Sequence, residues 1–394
     1  MRGNGGWGGF RTLSTILTIL TVFACAHGRQ PSFQGLGDLP GGEYWSEAVD
    51  VSAEGNVVVG TSTSDRGDEA FRWTEAEGMV PLAPPGSTLP NGWRATKATG
   101  VSADGSVIVG NWYKADGASP TGHINQPFRW TEGEGIASLP GMPPDSLWVG
   151  ATGISGDGRA VAIFAYSGLA FRWTASTGLL SLTDENRGVW VDTHGITADG
   201  SVVVGRGWPP AKGGSEWEAW RWTLEEGIQG LGDLPGGYYQ STAKGVSADG
   251  TVIVGYALGD SGMQAFAWNE SQGMVPLGVL AEGSFGSSAF DVSADGTTIV
   301  GYSESARGFD AFIWDPTHGM RALRDVLTDE CRVDLDGWTL RRATAVSDDG
   351  QVIVGYGINP DGEREAWVAV VPEPGASALL LLVFCGTAVK RRSK

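Results

Sequence analysis

The sequence predicts an all-β protein, a seven-bladed β-propeller of four-stranded blades that is closed by the N-terminal strand. One ten-residue pattern recurs seven times in the 394-residue chain, at intervals of 42 to 54 residues. Repeat periods near 40–50 residues are typical of propellers with four strands per blade. The high glycine content (62 residues) and the low charged fraction (18%) suit short strands joined by tight turns.

The repeated pattern is clearest at Val246–Gly255, which reads V-S-A-D-G-T-V-I-V-G. Asp249-Gly250 predicts a hairpin turn, because glycine adopts positive φ without a Cβ clash and aspartate can bond the nearby backbone. Gly255 is expected to end the second strand. The seven copies are Val51–Gly60, Val101–Gly110, Ile154–Ile163, Ile196–Gly205, Val246–Gly255, Val292–Gly301 and Val346–Gly355.

Each repeat unit divides into four predicted strands. In the fifth unit these are Ala243–Ser247, Thr251–Tyr256, Gln264–Asn269 and Met274–Leu277. Strand alternation places Phe266 and Trp268 on one face of the third strand. We assign one set of tryptophans to packing between blades: Trp73, Trp130, Trp173, Trp222, Trp268, Trp314 and Trp367. The third unit departs most from the pattern, and without it the ring would have six blades.

The two ends of the repeat region complement each other. Phe33–Gly42 nearly repeats the ending of an internal unit, Ile228–Gly237, whereas the last unit stops after its third strand at Val370. We therefore expect residues 33–39 to complete the last blade, which protects strand edges from aggregation. An open stack of hairpins is the alternative, although it would not need the displaced ending. The repeat domain is assigned to residues 33–371.

Residues 1–26 are predicted to be a signal peptide. Arg2 and Arg11 precede the apolar run Leu13–Ala24, and Ala24-Cys25-Ala26 has the small-x-small pattern of a cleavage site. A membrane anchor is the alternative, but the apolar run is shorter than the ~20 residues that a spanning helix needs. Lipidation of Cys25 is a further alternative.

Residues 371–392 are predicted to form a C-terminal sorting signal. Pro372-Glu373-Pro374 is followed by the uncharged stretch Gly375–Val389 and by Lys390-Arg391-Arg392. This tail resembles the PEP-CTERM sorting signal. The resemblance implies a C-terminal transmembrane sorting helix that transiently anchors the chain in the inner membrane. It also implies an exosortase as processing partner, cleavage near Pro-Glu-Pro, and delivery to the cell surface or extracellular matrix. An ordinary C-terminal anchor is the alternative.

The repeats themselves resemble HAF-type extracellular repeats over most of residues 33–370. Glu69-Ala-Phe-Arg-Trp73 and Gly35-Leu-Gly-Asp-Leu39 carry the resemblance. It implies no defined activity. The formal net charge of −18 repels phosphate backbones and makes nucleic acid an unsuitable partner.

The sequence contains no predicted catalytic, cofactor or metal site. The histidines (His27, His123, His194 and His318) have no metal-ligand spacing, and a solvated or locally bonded role is expected for them. A turn aspartate recurs in most units, as a structural role predicts: Asp104, Asp199, Asp249, Asp295 and Asp349. Asp334-Leu-Asp336-Gly337 resembles a fragment of a calcium loop but lacks its later acidic ligand.

A second aromatic set, the rim aromatics, precedes each first strand: Trp45, Trp93, Trp148, Trp190, Tyr239, Phe285 and Trp338. These side chains either stack on sugar rings or a protein partner, or fill the gaps between neighbouring blades. The sequence thus predicts a secreted, non-catalytic propeller that binds exopolysaccharide, matrix or protein partners. The alternative is an extracellular polysaccharide lyase or glycosidase, in which acids or histidines would break the repeat symmetry at one funnel. No such break is evident in the sequence.

Overall fold

The computed structural model describes residues 29–83, 94–115, 123–142, 149–165, 168–183, 190–208, 216–281 and 286–372. These residues form seven antiparallel four-stranded sheets, and strands one of successive sheets contact one another around a closed ring. The predicted seven-bladed propeller is therefore confirmed, including the divergent third unit. Among the described residues no helix is long and apolar enough to cross a membrane.

We number the blades from the first complete one. Blades 1 to 3 contain β2 (Ser46–Val51), β3 (Val58–Ser64), β4 (Gly67–Thr74) and β5 (Gly78–Pro81); β6 (Arg94–Val101), β7 (Val107–Ala115), β8 (His123–Thr131) and β9 (Gly135–Ser138); and β10 (Val149–Ile154), β11 (Ala160–Ala165), β12 (Leu169–Thr174) and β13 (Gly178–Ser181).

Blades 4 to 6 contain β14 (Val191–Ile196), β15 (Val203–Gly207), β16 (Glu218–Thr223) and β17 (Gly227–Gly230); β18 (Ser241–Val246), β19 (Ile253–Gly259), β20 (Gly262–Asn269) and β21 (Gly273–Gly278); and β22 (Ser287–Val292), β23 (Ile299–Ser305), β24 (Gly308–Asp315) and β25 (Gly319–Ala322). Blade 7 contains β26 (Thr339–Val346), β27 (Val352–Ile358), β28 (Arg364–Val370) and β1 (Ser32–Gly35).

Strand β1 closes the ring as the sequence predicts. It pairs antiparallel with β28, in a register that sets Gly35 opposite Trp367. A short helical insertion, α1 (Leu323–Asp325) and one π-helical turn (Val326–Glu330), precedes blade 7 and packs into the core that this blade shares with blade 6. Blade 7 is therefore completed by β1 as its fourth strand and is packed against the helical insertion.

A buried serine joins one blade to the next. The Ser241 hydroxyl, at the start of strand one of blade 5, donates to the Gly232 carbonyl at 2.6 Å and accepts from the Ala219 amide at 2.9 Å. Both partners belong to blade 4. Because the hydroxyl is buried, it satisfies two backbone groups that water cannot reach.

The closing joint has the same construction. The Ser46 hydroxyl of blade 1 donates to the Gly37 carbonyl at 2.6 Å and accepts from the Ala366 amide at 3.0 Å. Gly37 follows β1, and Ala366 lies on β28. Closure by the N-terminal strand therefore reproduces an internal blade junction.

The repeated Asp-Gly turns adopt the predicted geometry. The Gly250 amide donates to the Ser247 carbonyl at 3.0 Å, and Gly250 has a φ of +75°. Asp249 Oδ1 accepts from the Thr251 amide at 3.0 Å and from the Ser247 hydroxyl at 2.8 Å. These bonds lower the pKa of Asp249, so the carboxylate stays ionised and continues to accept the hydrogen bonds that hold the turn.

The closing glycine of the pattern does not end the second strand, which corrects the sequence prediction. Gly255 lies inside β19, which extends to Gly259. Strand one bulges opposite Gly255, so a Cβ there would overlap the Thr242 carbonyl oxygen. At the equivalent Gly60, a Cβ would also lie 2.8 Å from the Phe71 ring. Glycine is therefore needed for close approach between strands.

The tryptophans assigned to blade packing do not all occupy one position. The register sets Trp268 opposite Ile253, but in blade 7 the residue opposite Ile353 is Ala369. Trp367 faces the closing glycine of its blade, as Phe266 does in blade 5. Trp367 is fully buried in the cluster that blade 7 shares with blade 6, so it has the assigned packing role from a strand position two residues earlier than that of Trp268.

The deepest aromatic is the one opposite the closing glycine. Phe266 is fully buried in a cluster that contains Val204 and Ala219 of blade 4 and Ile253 of its own blade. Trp268 is only partly buried against the same cluster. In blade 5 the packing between blades is therefore centred on the phenylalanine position, whereas Trp73, Trp173 and Trp222 are themselves buried in clusters that join two blades.

Candidate functional site

The first strands line a central channel with a volume of about 560 Å³. Each first strand runs from the end where the preceding blade connects, here called the loop face, to the end that carries the Asp-Gly turns, the turn face. Positions along strand one therefore mark depth in the channel, from Glu47 near the loop face to Ala53 at the turn face.

Backbone hydrogen bonds between neighbouring turns surround the channel at the turn face. For example, the Ala53 amide donates to the Ala103 carbonyl at 3.0 Å, and the Asp348 amide donates to the Ala53 carbonyl at 3.1 Å. Six of the seven neighbouring pairs are joined this way: 53 to 103, 103 to 156, 157 to 198, 248 to 294, 294 to 348 and 348 to 53. These bonds hold neighbouring turns together around the turn face of the channel.

The bulge in each first strand places one side chain on the channel wall. The seven bulge residues are Val49, Thr99, Thr152, His194, Lys244, Phe290 and Thr344. Their backbone positions are equivalent, but their chemistry differs. The expectation that no funnel breaks the repeat symmetry is therefore wrong for the channel wall.

A basic pair occupies the wall at blades 4 and 5. The Lys244 Nζ lies 3.4 Å from His194 Nε2. Burial lowers the pKa of His194 well below its ordinary value and, with repulsion from Arg206, lowers the pKa of Lys244 to about 8. The imidazole is thus neutral at pH 7, and the ammonium is its hydrogen-bond donor. His194 was expected to be solvated or locally bonded, but it is half-buried and its partner Lys244 lies 50 residues away on the next blade.

Two aspartates occupy the wall at blades 1 and 6, and sequence analysis did not single them out. Asp50 accepts from the Val101 amide of blade 2 at 2.8 Å, and Asp291 accepts from the Val346 amide of blade 7 at 2.9 Å. Burial raises the pKa of Asp50 to about 6. Burial and repulsion from Asp50 raise the pKa of Asp291 to about 7. Each carboxyl therefore links two blades and titrates near neutrality.

An arginine is held between aromatic rings at the loop-face mouth. The Arg342 guanidinium carbon lies 4.5 Å from the Tyr302 ring centre and 5.9 Å from those of Phe290 and Tyr356. Within the part of the chain that the structure describes, no side chain or carbonyl accepts a hydrogen bond from Arg342. Its donors therefore face the mouth without a protein acceptor.

A second arginine extends this stack toward blade 1. The Arg364 guanidinium carbon lies 3.9 Å from the Tyr356 ring centre and 5.6 Å from that of Trp45. Arg364 also forms an ion pair with Glu47. Of the rim aromatics that the structure describes, Trp45 is the one that joins the channel mouth.

The other described rim aromatics pack into the blades. Trp190 contacts Trp217 edge-on at 4.9 Å, and Trp338 contacts Phe33 at 5.3 Å. The Tyr239 hydroxyl donates to the buried Glu218 at 2.8 Å. These contacts fit the gap-filling interpretation. Trp93, Trp148 and Phe285 lie outside the described residues.

The remaining predicted sites have local structural partners or lie outside the described residues. His318 Nδ1 lies 2.9 Å from Asp315, and the Asp336 amide donates to Asp334 at 2.9 Å. No group of three or more histidine, cysteine or acidic side chains within the described ranges is placed to hold a metal. Pro372 is exposed, and the structure describes neither residues 1–28 nor residues 373–394, which include Glu373, Pro374, Lys390, Arg391 and Arg392.

No protein-family model and no curated protein matches this chain. A solved structure described as TolB from Agrobacterium tumefaciens is 14% identical, with a TM-score of 0.39 over 57% of this chain and 91% of its own.

Two further solved structures are of puromycin hydrolase. One has a TM-score of 0.48 at 16% identity and covers 79% of this chain. The other, a variant in complex with PGG, has a TM-score of 0.49 at 16% identity and covers 82%. This chain spans about half the length of both.

Proposed function

We propose that this propeller is a secreted, surface-sorted, non-catalytic protein that binds exopolysaccharide at the loop-face mouth of its channel. A channel of about 560 Å³ has the size of a small-molecule or sugar site. A protein partner would instead need a contact patch of about 800 Å² on each side. We therefore favour a sugar unit of a matrix polymer over a matrix protein.

The unoccupied donors of Arg342 carry this proposal. A guanidinium offers five N–H donors in a fixed planar fork, and stacking on Tyr302 and Tyr356 holds that plane in place. Because the side chain is ordered before a ligand arrives, binding loses little rotamer entropy. Sugar hydroxyls and carboxylates supply the acceptors that the described protein residues do not.

The rest of the wall suits a sugar ring. Phe290 and Tyr356 contribute apolar ring surface beside the polar side chains of Arg342 and Lys244. An apolar lining with a few convergent polar groups is the usual composition of a small-ligand site.

Retention on immobilised exopolysaccharide tests the proposal. Arg342→Gln is expected to weaken retention of the full chain at least tenfold. Its control is Arg341→Gln, which changes the neighbouring exposed arginine, whose guanidinium bonds the Arg307 and Phe309 carbonyls outside the channel wall. Equal retention of both variants, or no retention of the wild-type chain on any polysaccharide, contradicts the proposal.

The export part of the proposal is supported by the two terminal segments of the sequence. The basic and apolar leader at 1–26 and the Pro372-Glu373-Pro374 tail suggest secretion followed by exosortase processing. Mass spectrometry of the surface fraction is expected to find a C-terminus near residues 371–374. An intact Lys394 in that fraction would support a plain anchor.

A polysaccharide lyase or glycosidase is the second candidate, and the two channel aspartates favour it. Asp50 and Asp291 are carboxyls with raised pKa values on the wall of the same channel. Such pairs serve as acid and base in glycoside hydrolysis. However, both also bond amides of the next blade, which gives them a structural role. Product formation by the wild-type chain that Asp291→Asn abolishes would favour the enzyme.

A further inference from the structure

We infer that the sugar bound in the channel is acidic, and that the ammonium of Lys244 is the partner of its carboxylate. This inference rests on the proposed function and specifies the ligand. The site comprises the wall of four consecutive blades, here called the cationic arc: His194, Lys244, Phe290 and Arg342.

Lys244 lacks an anionic partner of its own. An ammonium has three donors, and among the described residues Lys244 has one hydrogen-bond contact, the His194 imidazole at 3.4 Å. Asp192 also attracts the ammonium, but that carboxylate lies 3.8 Å from Arg206 and is paired with it. A half-buried cation without a paired counter-charge is unfavourable, and an incoming carboxylate corrects this.

Charge balance favours a singly charged ligand group. Arg206 is paired with Asp192 and Arg364 with Glu47, which leaves Lys244 and Arg342 as the channel cations that no described carboxylate pairs. Asp50, Asp291 and Asp348 line the same channel, with Asp291 on blade 6 between the two cations in blade order, and they repel a second negative charge when ionised. When protonated, their hydroxyl groups are donors for sugar oxygens. A phosphate dianion fits this arrangement less well than a carboxylate does.

The shape of the arc matches a uronate unit. Phe290 lies between the two cations in blade order and offers an apolar surface to the sugar ring. The net charge of −18 opposes a polyanion at long range. At physiological ionic strength this repulsion is screened beyond about 8 Å, so the local cations decide binding.

Calorimetric titration with matched trisaccharides tests the inference on the full chain. Trigalacturonate is expected to bind at least tenfold more tightly than neutral galactotriose. Lys244→Met is expected to remove this preference, whereas Lys244→Arg retains most of it. Lys97→Met is the matched control, because Lys97 is an exposed strand-one lysine outside the channel wall. Melting curves verify that each variant is folded.

The outcomes separate this inference from the proposed function. Equal affinity of the wild-type chain for both trisaccharides overturns the acidic-ligand assignment, while the sugar-binding function stands. Tighter binding of galactose 6-phosphate than of galacturonate assigns the arc to phosphate and also overturns it. Failure of the wild-type chain to bind any glycan overturns both. Loss of preference in Lys97→Met as well as in Lys244→Met would assign the effect to general charge, against the inference.

Discussion

The closing joint permits a matched test of how the ring is held. Ser46→Ala at the closure and Ser241→Ala between blades 4 and 5 remove hydroxyls with the same two bonds and the same full burial. Each variant loses two hydrogen bonds and leaves a buried backbone amide without an acceptor. An unsatisfied buried group costs about 1–3 kcal/mol, so each substitution is expected to lower the free energy of unfolding by about 2–3 kcal/mol.

Urea denaturation of the two variants, followed by tryptophan fluorescence, measures both costs against the same wild-type curve. Equal costs are the expected result, because the closure copies an internal joint. A cost below about 0.5 kcal/mol for Ser46→Ala, alongside the full cost for Ser241→Ala, would refute closure by the N-terminal strand. Negligible costs in both variants would refute the assigned role of the buried hydroxyl.

Three further predictions concern the bulge, the core and the channel. Gly255→Ala is expected to cost more than about 3 kcal/mol in urea denaturation, because its Cβ overlaps a strand-one carbonyl. Phe266→Ala is expected to cost about 3–5 kcal/mol and clearly more than Trp268→Ala, because only the phenylalanine is fully buried; the reverse order would contradict the core assignment. Stability is expected to fall as pH rises from 4 to 8, because the folded chain holds protons on Asp50 and Asp291 that the unfolded chain has released.

The pH effect has a defined size and a control. A rise in the pKa of Asp50 from 3.8 to about 6 corresponds to about 3 kcal/mol at 1.36 kcal/mol per unit. Asp50→Asn is expected to flatten the pH dependence by this amount. The lowered pKa of His194 acts in the opposite direction below pH 6.5 and offsets part of the effect. A slope that Asp50→Asn leaves unchanged would contradict the assignment.

For the bulge, Gly273→Ala is the matched control. Gly273 has a positive φ, +69°, unlike Gly255, and a Cβ there meets no atom within 4 Å. Its substitution is expected to cost about 1 kcal/mol, the strain of the left-handed conformation alone. Similar costs at Gly255 and Gly273 would show that close approach is not the reason for glycine in the repeat.

The sequence predicts this fold well because its decisive signals are local. Asp249-Gly250 specifies a turn from two adjacent residues, and the displaced ending at Phe33–Gly42 specifies closure by matching an internal unit. The bulge opposite Gly255 is different, since it depends on contact between two strands. A repeated glycine indicates a constraint without saying whether that constraint is a strand end or a close approach.

The side chains of the channel wall could not be predicted from the sequence for a related reason. Comparing repeat units emphasises residues that recur, such as Asp249 and Trp268, whereas His194 and Lys244 occupy a strand-one position whose residue varies between units. The bulge shifts the alternation of side chains, so period-two reasoning alone does not place that position on the channel. When the repeat units are aligned, His194 directly precedes Gly195 and Lys244 directly precedes Gly245, so the two basic residues share one repeat position.

Because the first strand pairs with the last sheet, blade 7 can be completed only after nearly the whole chain has been synthesised. Strand β1 leaves the ribosome first, yet its partner β28 is completed at Val370, more than three hundred residues later. Until then the chain can form individual blades but not the closed propeller. A chain cut short before β28 therefore leaves β1 without its partner strand and blade 7 without its full four strands.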